Sequence, residues 1–401
     1  MDILEGIKVV DVTAYAFVPS AGGVLAHWGA DVIKVETPGA PDPMRAISEA
    51  TFRHYSRGKR SIALNLANGE GRELLYKMVA DADVFLTSYL APTRRKLGID
   101  VEDIRRINPD IVYARGSGHG PKGPDADRPG YDALSWWYRG SLGQTAMDMT
   151  GVEWPPTMVG HGDGMSGLVF AGGICAALLH RALKGEALVV DSSLMGTAIW
   201  FNGLAIMGAQ FNHGRRPPAP AKRPPLPEGI STTFISATRS IYQTGDYRFL
   251  NLLFLTDDDR DFADLCQRID RPDLAADPRF AARNDRAANS TELLAILEEV
   301  FASRTLAEWK EALAEARGAW APVSTPEEIH DDPQTIANGF MRHVDYPDGG
   351  LDVPAPAIQF DEEAGDPPPA PEFAQHTDEI LAELGCSAEQ ISAFRASGAV
   401  A

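Results

Sequence analysis

One carboxylate stands apart in this chain. Asp163 lies between two glycines in His161-Gly-Asp-Gly-Met165, and behind it Met165, Leu168, Val169, Ile174, Ala177 and Leu178 recur at roughly helical spacing. Asp163 therefore falls at or just before the N-terminus of a buried helix. Two readings stay open at this point. As an N-cap, its oxygen would satisfy an orphan backbone N–H. As a nucleophile, it would stand where flanking glycines let another molecule's carbonyl come close, with backbone N–H groups nearby to hold an oxyanion.

Other chemistries have less to stand on. Ser117 and Ser166 both miss the G-x-S-x-G spacing of a nucleophile elbow. His161 and Asp163 are two residues apart but have no third ligand type clustered with them, so no metal site is expected. His119 reads as a loop residue, and Asp257-Asp258-Asp259 as an acidic loop capping the helix that follows. Basic residues gather at Arg57-Gly-Lys-Arg60 and at Arg94-Arg-Lys96. On an acidic protein they suit either a polyphosphate ligand or a solvated basic face.

The elements that must position these groups follow a β-α-β rhythm. Residues 7–13 read as a buried strand, Pro19–Trp28 as a helix and Asp31–Glu36 as a second strand, the seed of a parallel sheet. The first β-α turn, TAYAFVP, has no G-x-G-x-x-G, which argues against a nicotinamide or flavin dinucleotide. Strands at 61–66, 84–88, 111–114 and 188–191 alternate with helices at 69–82, 93–97 and 101–108, and a long apolar helix runs from about 193 to 210. Residues 1–200 are expected to form a doubly wound α/β domain. A proline-rich, basic stretch at 215–229 reads as a stiff linker within 201–229. Strand-like pieces and helical patterns at 260–269, 291–303 and 306–316 make 230–325 a smaller α+β domain, and 326–401 returns through a Pro/Asp/Gly-rich run to two helices near 377–384 and 388–396.

The bulk numbers narrow the partners. The formal net charge of −19 over 401 residues argues against binding nucleic acid or an anionic membrane through a general basic face. Three cysteines without C-x-x-C spacing read as reduced. The N-terminus lacks the pattern of an export signal, and the apolar runs at Leu168–Leu179 and Ile199–Met207 are too short to span a bilayer. A soluble, cytoplasmic protein is expected.

Several spaced blocks, in order along nearly the whole chain, resemble the class III, formyl-CoA transferase-like family of CoA-transferases, in the same superfamily as α-methylacyl-CoA racemase. They include Asp11-Val-Thr through Pro19, Gly29–Glu36, Arg57–Asn65, Arg128–Leu134, the Asp163 segment, Val189–Ser193, Ala276–Phe280, Arg304–Trp309 and His376–Glu379. The resemblance implies a Rossmann-like large domain built from both chain ends, a small domain, and two chains interlocked in a homodimer. It implies an acyl-CoA and a small carboxylic acid as substrates, with no permanently bound cofactor and no metal. At the Asp163 position the family's aspartate attacks the thioester to form an acyl anhydride. Returning CoA thiolate then makes an aspartyl-CoA thioester, from which CoA passes to the acceptor acid. Covalent attachment preserves the thioester's activation and splits one difficult exchange into easier steps.

By position, the resemblance gives CoA contacts to Tyr15, Ala16, Phe17, Leu64, Ser88, Tyr89, Lys96, Leu97 and Tyr131. This chain departs from the family pattern at Ser88-Tyr89 (usually Asn-Phe), at Ala67 (a family lysine) and at Thr37 (an arginine in some members). The Gly-rich loop of formyl-CoA transferase is replaced by the proline-rich 215–229. Tyr131-Asp132 stands where the racemase branch has His-Asp, so one of the two bases for α-proton exchange is missing and transfer is favoured over racemisation. The alternatives are an acyl-CoA racemase or epimerase and a non-catalytic CoA-binding subunit. Trp136, Trp137 and Tyr138 either pack in the core or line a pocket for a bulky acyl group, with core packing expected for at least two of them.

Overall fold

Six parallel strands carry the larger part of the molecule. The structure, a computed structural model, describes residues 2–150, 154–211, 236–256, 258–366 and 368–401. The strands are β1 (Lys8–Val12), β2 (Asp31–Glu36), β3 (Arg60–Ala63), β4 (Val84–Thr87), β5 (Val112–Ser117) and β6 (Val189–Ser193). Their order across the sheet is β3-β2-β1-β4-β5-β6, with every neighbouring pair parallel. That is the doubly wound, Rossmann-like order, and the chain reverses its direction of travel between β1 and β4. Strands buried on both faces are largely apolar, as in β4 (Val-Phe-Leu-Thr); in β1 (Lys-Val-Val-Asp-Val) the exceptions are Lys8, which is exposed, and Asp11, which is buried in an ion pair with Lys59.

Alternate residues feed two cores. Val10, Phe85 and Tyr113 face one core, and Val9, Val84, Leu86 and Val112 face the other. The first core is closed by the far end of the chain, with Ile380, Leu381, Ile391 and Val400 buried against the sheet. The Ser61 backbone N–H donates to His376 Nδ1 at 3.1 Å, and the Asn65 N–H donates to the Ala399 carbonyl at 2.9 Å. The second core is closed by α1 (Phe17–His27) and the helix His161–Lys184, which lie side by side.

The chain divides into two compact units. One joins residues 1–145, 155–214 and 330–401, and the other joins 146–154 and 215–329. The second unit has a three-stranded antiparallel sheet (Ile241–Gln243, Phe249–Leu252, Trp320–Pro322) covered by helices Asp259–Arg268, Ser290–Phe301 and Leu306–Ala312 around Tyr242, Phe301 and Trp309. Asp258 caps the first of these helices by accepting the Arg260 N–H at 2.8 Å. Asp257 and the 215–229 stretch lie outside the described residues.

Several expectations need correcting. The long helix from 193 to 210 is two helices, Leu194–Phe201 and Gly203–Phe211, bent by 60° at Asn202. Asn202 is buried, and its Nδ2 donates to the Gly140 carbonyl at 3.4 Å and to Thr145 Oγ1 at 3.0 Å, which fixes the bend. The Pro/Asp/Gly-rich run within 326–401 holds a helix, Pro333–Asn338, capped by Asp332, and a hairpin pairing Met341–Tyr346 with Gly349–Pro354. The apolar run that sequence bounded at Leu168–Leu179 belongs to a 24-residue helix of mean hydropathy 1.5, long and apolar enough to cross a bilayer by those measures. Here Phe170, Ala171, Ile174 and Ala177 pack it into the second core instead.

The Arg57–Arg60 cluster is neither a solvated face nor a free phosphate site. Arg57 and Lys59 are buried; Lys59 pairs with Asp11 at 2.8 Å, and Arg60 pairs with Asp31 at 2.6 Å and Glu383 at 2.8 Å. Of the second cluster, Arg94 is buried and paired with Asp100 at 3.0 Å, while Arg95 and Lys96 are exposed.

Candidate active site

Asp163 is the third residue of its helix rather than the cap. The N-cap is Gly160, whose φ of 83° is left-handed and suits glycine, and no side chain caps this end. Three glycines then let other parts of the protein press against the helix. A Cβ on Gly162 would stand 2.2 Å from Asp132 Oδ1 and 2.4 Å from the Trp136 ring; one on Gly164 would meet Tyr55 Oη at 2.7 Å; one on Gly167 would meet Ser20 Oγ at 1.6 Å. The glycines beside Asp163 thus admit Asp132, Trp136 and Tyr55, whereas sequence had them admitting a ligand's carbonyl. Ser20, on α1, donates to the Asp163 carbonyl at 3.2 Å and so ties the two helices together at the site.

Asp132 comes from a seven-residue π-helical turn, Asp132–Tyr138, that follows β5 and its loop. Its Oδ2 accepts the Gly160 N–H at 2.7 Å, fixing the entry to the Asp163 helix. Burial raises the Asp132 carboxyl, against the lowering pull of the Gly160 and Gly162 amides. Burial, and then the charge of Asp132, push the Asp163 carboxyl up to about 7. Tyr55, whose Oη donates to the Gly160 carbonyl at 3.3 Å, is pushed up to about 12 by burial and by these two carboxylates. Asp163 is thus a carboxyl held far from its ordinary range by a dry setting, a signature of functional sites.

Beside it opens a cavity of about 450 Å³. Its wall comes from the segments that follow β1 (Ala14–Val18), β4 (Ser88–Leu90) and β5 (Gly116–Gly118), from Gly130–Ala133, and from Asp163 itself. It therefore lies beyond the carboxyl ends of the strands at the reversal between β1 and β4, where ligands bind in open α/β sheets. Phe17, Val18, Met44, Leu90, Val159 and Leu194 make much of its surface apolar. The first turn of α1 borders it with no side-chain cap and no acidic residue, leaving an electropositive helix end facing the cavity.

Of the residues singled out by sequence, Tyr15, Ala16, Phe17, Ser88, Tyr89, Tyr131 and Asp163 come together on this wall. Tyr15 and Tyr131 meet edge to face with ring centroids 5.5 Å apart. Leu64, Lys96 and Leu97 lie outside the lining: Leu64 is fully buried in the first core, Leu97 packs against that core, and Lys96 is exposed on the helix Ala91–Leu97. Trp136 and Trp137 are buried in the second core and Tyr138 is exposed with its hydroxyl near Thr157, so none of the three lines the cavity. Sequence reasoning missed Tyr55 and the pairing of Asp132 with Asp163. The glycine flanks of Asp163 were the available signal, since such close approach needs something to approach. Among the described residues no cluster of three or more His, Cys, Asp or Glu could hold a metal ion.

Known proteins resemble this chain over nearly its whole length. The chain is 31% identical over 411 residues to (R)-2-hydroxy-4-methylpentanoate CoA-transferase of Clostridioides difficile, covering 99% of each chain. It is 30% identical over 406 residues to cinnamoyl-CoA:phenyllactate CoA-transferase of Clostridium sporogenes, covering 97% of this chain and 95% of the relative. A crystal structure of a CAIB/BAIF family protein from Brucella suis superposes with a TM-score of 0.80 at 28% identity, over 96% of this chain and 99% of that one. The model of CoA-transferase family III matches residues 4–377, and the chain belongs to that family.

Proposed function

We propose that Asp163 is the covalent nucleophile of this class III CoA-transferase and that the cavity beside it receives the thioester of acyl-CoA. What carries the proposal is a partly buried carboxyl, pushed up to about 7 by burial and by Asp132, on the wall of an apolar cavity bordered by an uncapped helix N-terminus. An ionised Asp163 oxygen attacks the thioester carbonyl; the C–S bond breaks and CoA leaves as thiolate, giving a mixed anhydride. The thiolate attacks the aspartyl carbonyl of that anhydride, releasing the donor carboxylate and leaving an aspartyl-CoA thioester. The acceptor carboxylate repeats the exchange in reverse and departs as acyl-CoA, with Asp163 restored. The first-turn N–H groups of α1 are placed to take up charge on the carbonyl oxygen as each tetrahedral centre forms. An apolar wall keeps water from the anhydride and the thioester.

The lining suits an acyl group with an apolar body, in line with similarity to transferases named for 4-methylpentanoate and cinnamoyl substrates. In this reading Tyr15, Ala16, Phe17, Ser88, Tyr89 and Tyr131 touch the CoA arm and the exposed Lys96 meets its phosphate or adenine end, while Leu64 and Leu97, packed in and against the first core, support the sheet rather than touch CoA. The enzyme works as a cytoplasmic homodimer, carries no permanent cofactor, and is built as a large domain (1–200 with 326–401) and a small one (230–325) joined through 201–229.

The test is a peptide mass map after incubation with a panel of acyl-CoAs. A CoA thioester on the peptide carrying Asp163, removed by hydroxylamine and absent in Asp163→Ala, is the expected result. Near-normal turnover by Asp163→Ala overturns the assignment. Uptake of solvent deuterium at the acyl α-carbon, without need of an acceptor acid, would point to a racemase instead.

A further inference from the structure

Four buried charges converge on the turn that forms one side of the cavity. Asp11, Lys34, Asp42 and Lys59 are all almost fully buried, paired as Lys34–Asp42 at 2.7 Å and Lys59–Asp11 at 2.8 Å. Each also grips the stretch Thr13–Pro19, which runs from the end of β1 into the first turn of α1. Lys34 Nζ donates to the Thr13 carbonyl at 3.1 Å and Lys59 Nζ to the Pro19 carbonyl at 2.7 Å. Asp11 accepts the Thr13 hydroxyl, and Asp42 Oδ1 accepts the Tyr15 N–H at 3.1 Å. Asp42 Oδ1 also accepts the Met44 N–H at 3.0 Å, which anchors the loop that carries it.

What is held there is strained. Tyr15 has φ of 71°, the left-handed region that disfavours a residue with a bulky side chain. Such a backbone is unfavourable and persists only when its surroundings over-determine it. Buried ion pairs are themselves poor stabilisers, since apolar residues of similar volume often serve a core as well or better. Two such pairs spent on one turn are therefore better explained by geometry than by stability. Released, residue 15 would relax toward the ordinary β or right-handed regions, turning its ring off Tyr131 and reorienting the first amides of α1.

We propose that Asp42, itself held by Lys34, is a positioning residue that locks Tyr15 in the left-handed conformation and so presents the Tyr15 ring and the N-terminus of α1 to acyl-CoA. The proposal rests on the transferase reading for its kinetic consequences, though not for its structural ones.

The test compares two charge-neutral pairs of substitutions. Lys34→Met with Asp42→Leu keeps the core apolar but removes the acceptor for the Tyr15 N–H. Lys34→Met with Asp42→Asn removes the same charges and keeps that acceptor. Both pairs should melt within a few degrees of the wild-type protein. The leucine pair should lose at least tenfold in kcat/KM for acyl-CoA, and the asparagine pair should stay within about threefold of wild type. Equal activity in the two pairs, whether high or low, overturns the proposal, because the acceptor would then not matter.

Amide hydrogen exchange on the wild-type protein tests the same lock without any variant, and so covers the case in which the leucine pair does not fold. The Tyr15 amide should be protected despite its place on an open cavity wall; fast exchange there overturns the proposal. A wild-type protein inactive with every acyl-CoA would strike the transferase reading and leave the exchange result standing.

Discussion

At the residue scale, the chemistry turns on how Asp163 titrates. Its carboxyl is held at about 7, first by burial and then by Asp132, against an ordinary value near 3.8. Only the ionised form is a nucleophile, so kcat/KM for acyl-CoA should rise about tenfold per pH unit below 7 and level off above it. Asp132→Asn removes the neighbouring charge and should move this limb to lower pH, though not back to an ordinary aspartate's, because burial is the larger cause. A limb that does not move in Asp132→Asn would refute the coupling. The same shift has a stability consequence of definite sign. Between about pH 4 and 7 the unfolded chain has released the proton that the folded chain retains. The unfolded state therefore binds fewer protons, and stability falls as pH rises through that window and stays level above it. Asp163→Asn abolishes this dependence, so its melting temperature relative to wild type should climb from pH 4 to pH 7; a constant difference would contradict the raised value. Asp163 was legible in the sequence as a carboxylate at a helix start, but its environment was not. Tyr55 and Asp132 reach it from 108 and 31 residues away in the chain, and their proximity rests on glycines whose neighbours no local pattern names.

At the element scale, the contact between α1 and the helix His161–Lys184 bears directly on the site, because Ser20 of α1 donates to the Asp163 carbonyl there. Gly167 permits it: an added Cβ would sit 1.6 Å from Ser20 Oγ and 3.0 Å from the Ala21 nitrogen. Gly167→Ala should therefore destabilise the fold by about 1–3 kcal/mol through overpacking. Gly173→Ala, on the same helix, meets only Val190 Cγ1 at 3.5 Å, an ordinary contact. It should be neutral or stabilising by up to about 1 kcal/mol, since alanine is the better helix former. Urea denaturation of both variants decides this, and equal effects would rule out the close crossing. The parallel sheet was readable from sequence because strands such as Val84–Thr87 are continuously apolar and alternate with amphipathic helices. The hairpin Met341–Pro354 was not, because its faces are half solvated and its turn sits in a Pro/Asp/Gly-rich run with the composition of a loop. The bend at Asn202 was hidden too: the sequence around it is uniformly apolar, and its cause is a hydrogen bond to Thr145, 57 residues earlier.

At the scale of the whole molecule, the helix His161–Lys184 has an unfinished side. Met165, Val169, Leu179 and Leu183 are exposed on it, and with Gly172 and Ala176 they fall at positions four and three apart in turn, a stripe along one face. The following helices add exposed Ile199, Trp200, Leu204, Met207 and Phe211. Large exposed apolar patches mark interaction sites. A second copy of the chain is the occupant consistent with the homodimer proposed above, and a stripe with this spacing suits helix-on-helix packing. Light scattering on the eluting protein should give two chains per particle at micromolar concentration. Leu179→Lys with Leu183→Lys places like charges on the stripe and should shift the particle toward one chain, with circular dichroism showing the helices retained. If wild type elutes as a single chain, the homodimer reading falls. If the doubly charged variant stays at two chains, the dimer forms through another face. Neither residue lines the cavity, so an accompanying loss of turnover would show that the site needs the second chain, whereas unchanged turnover in a monomeric variant would show that each chain works alone.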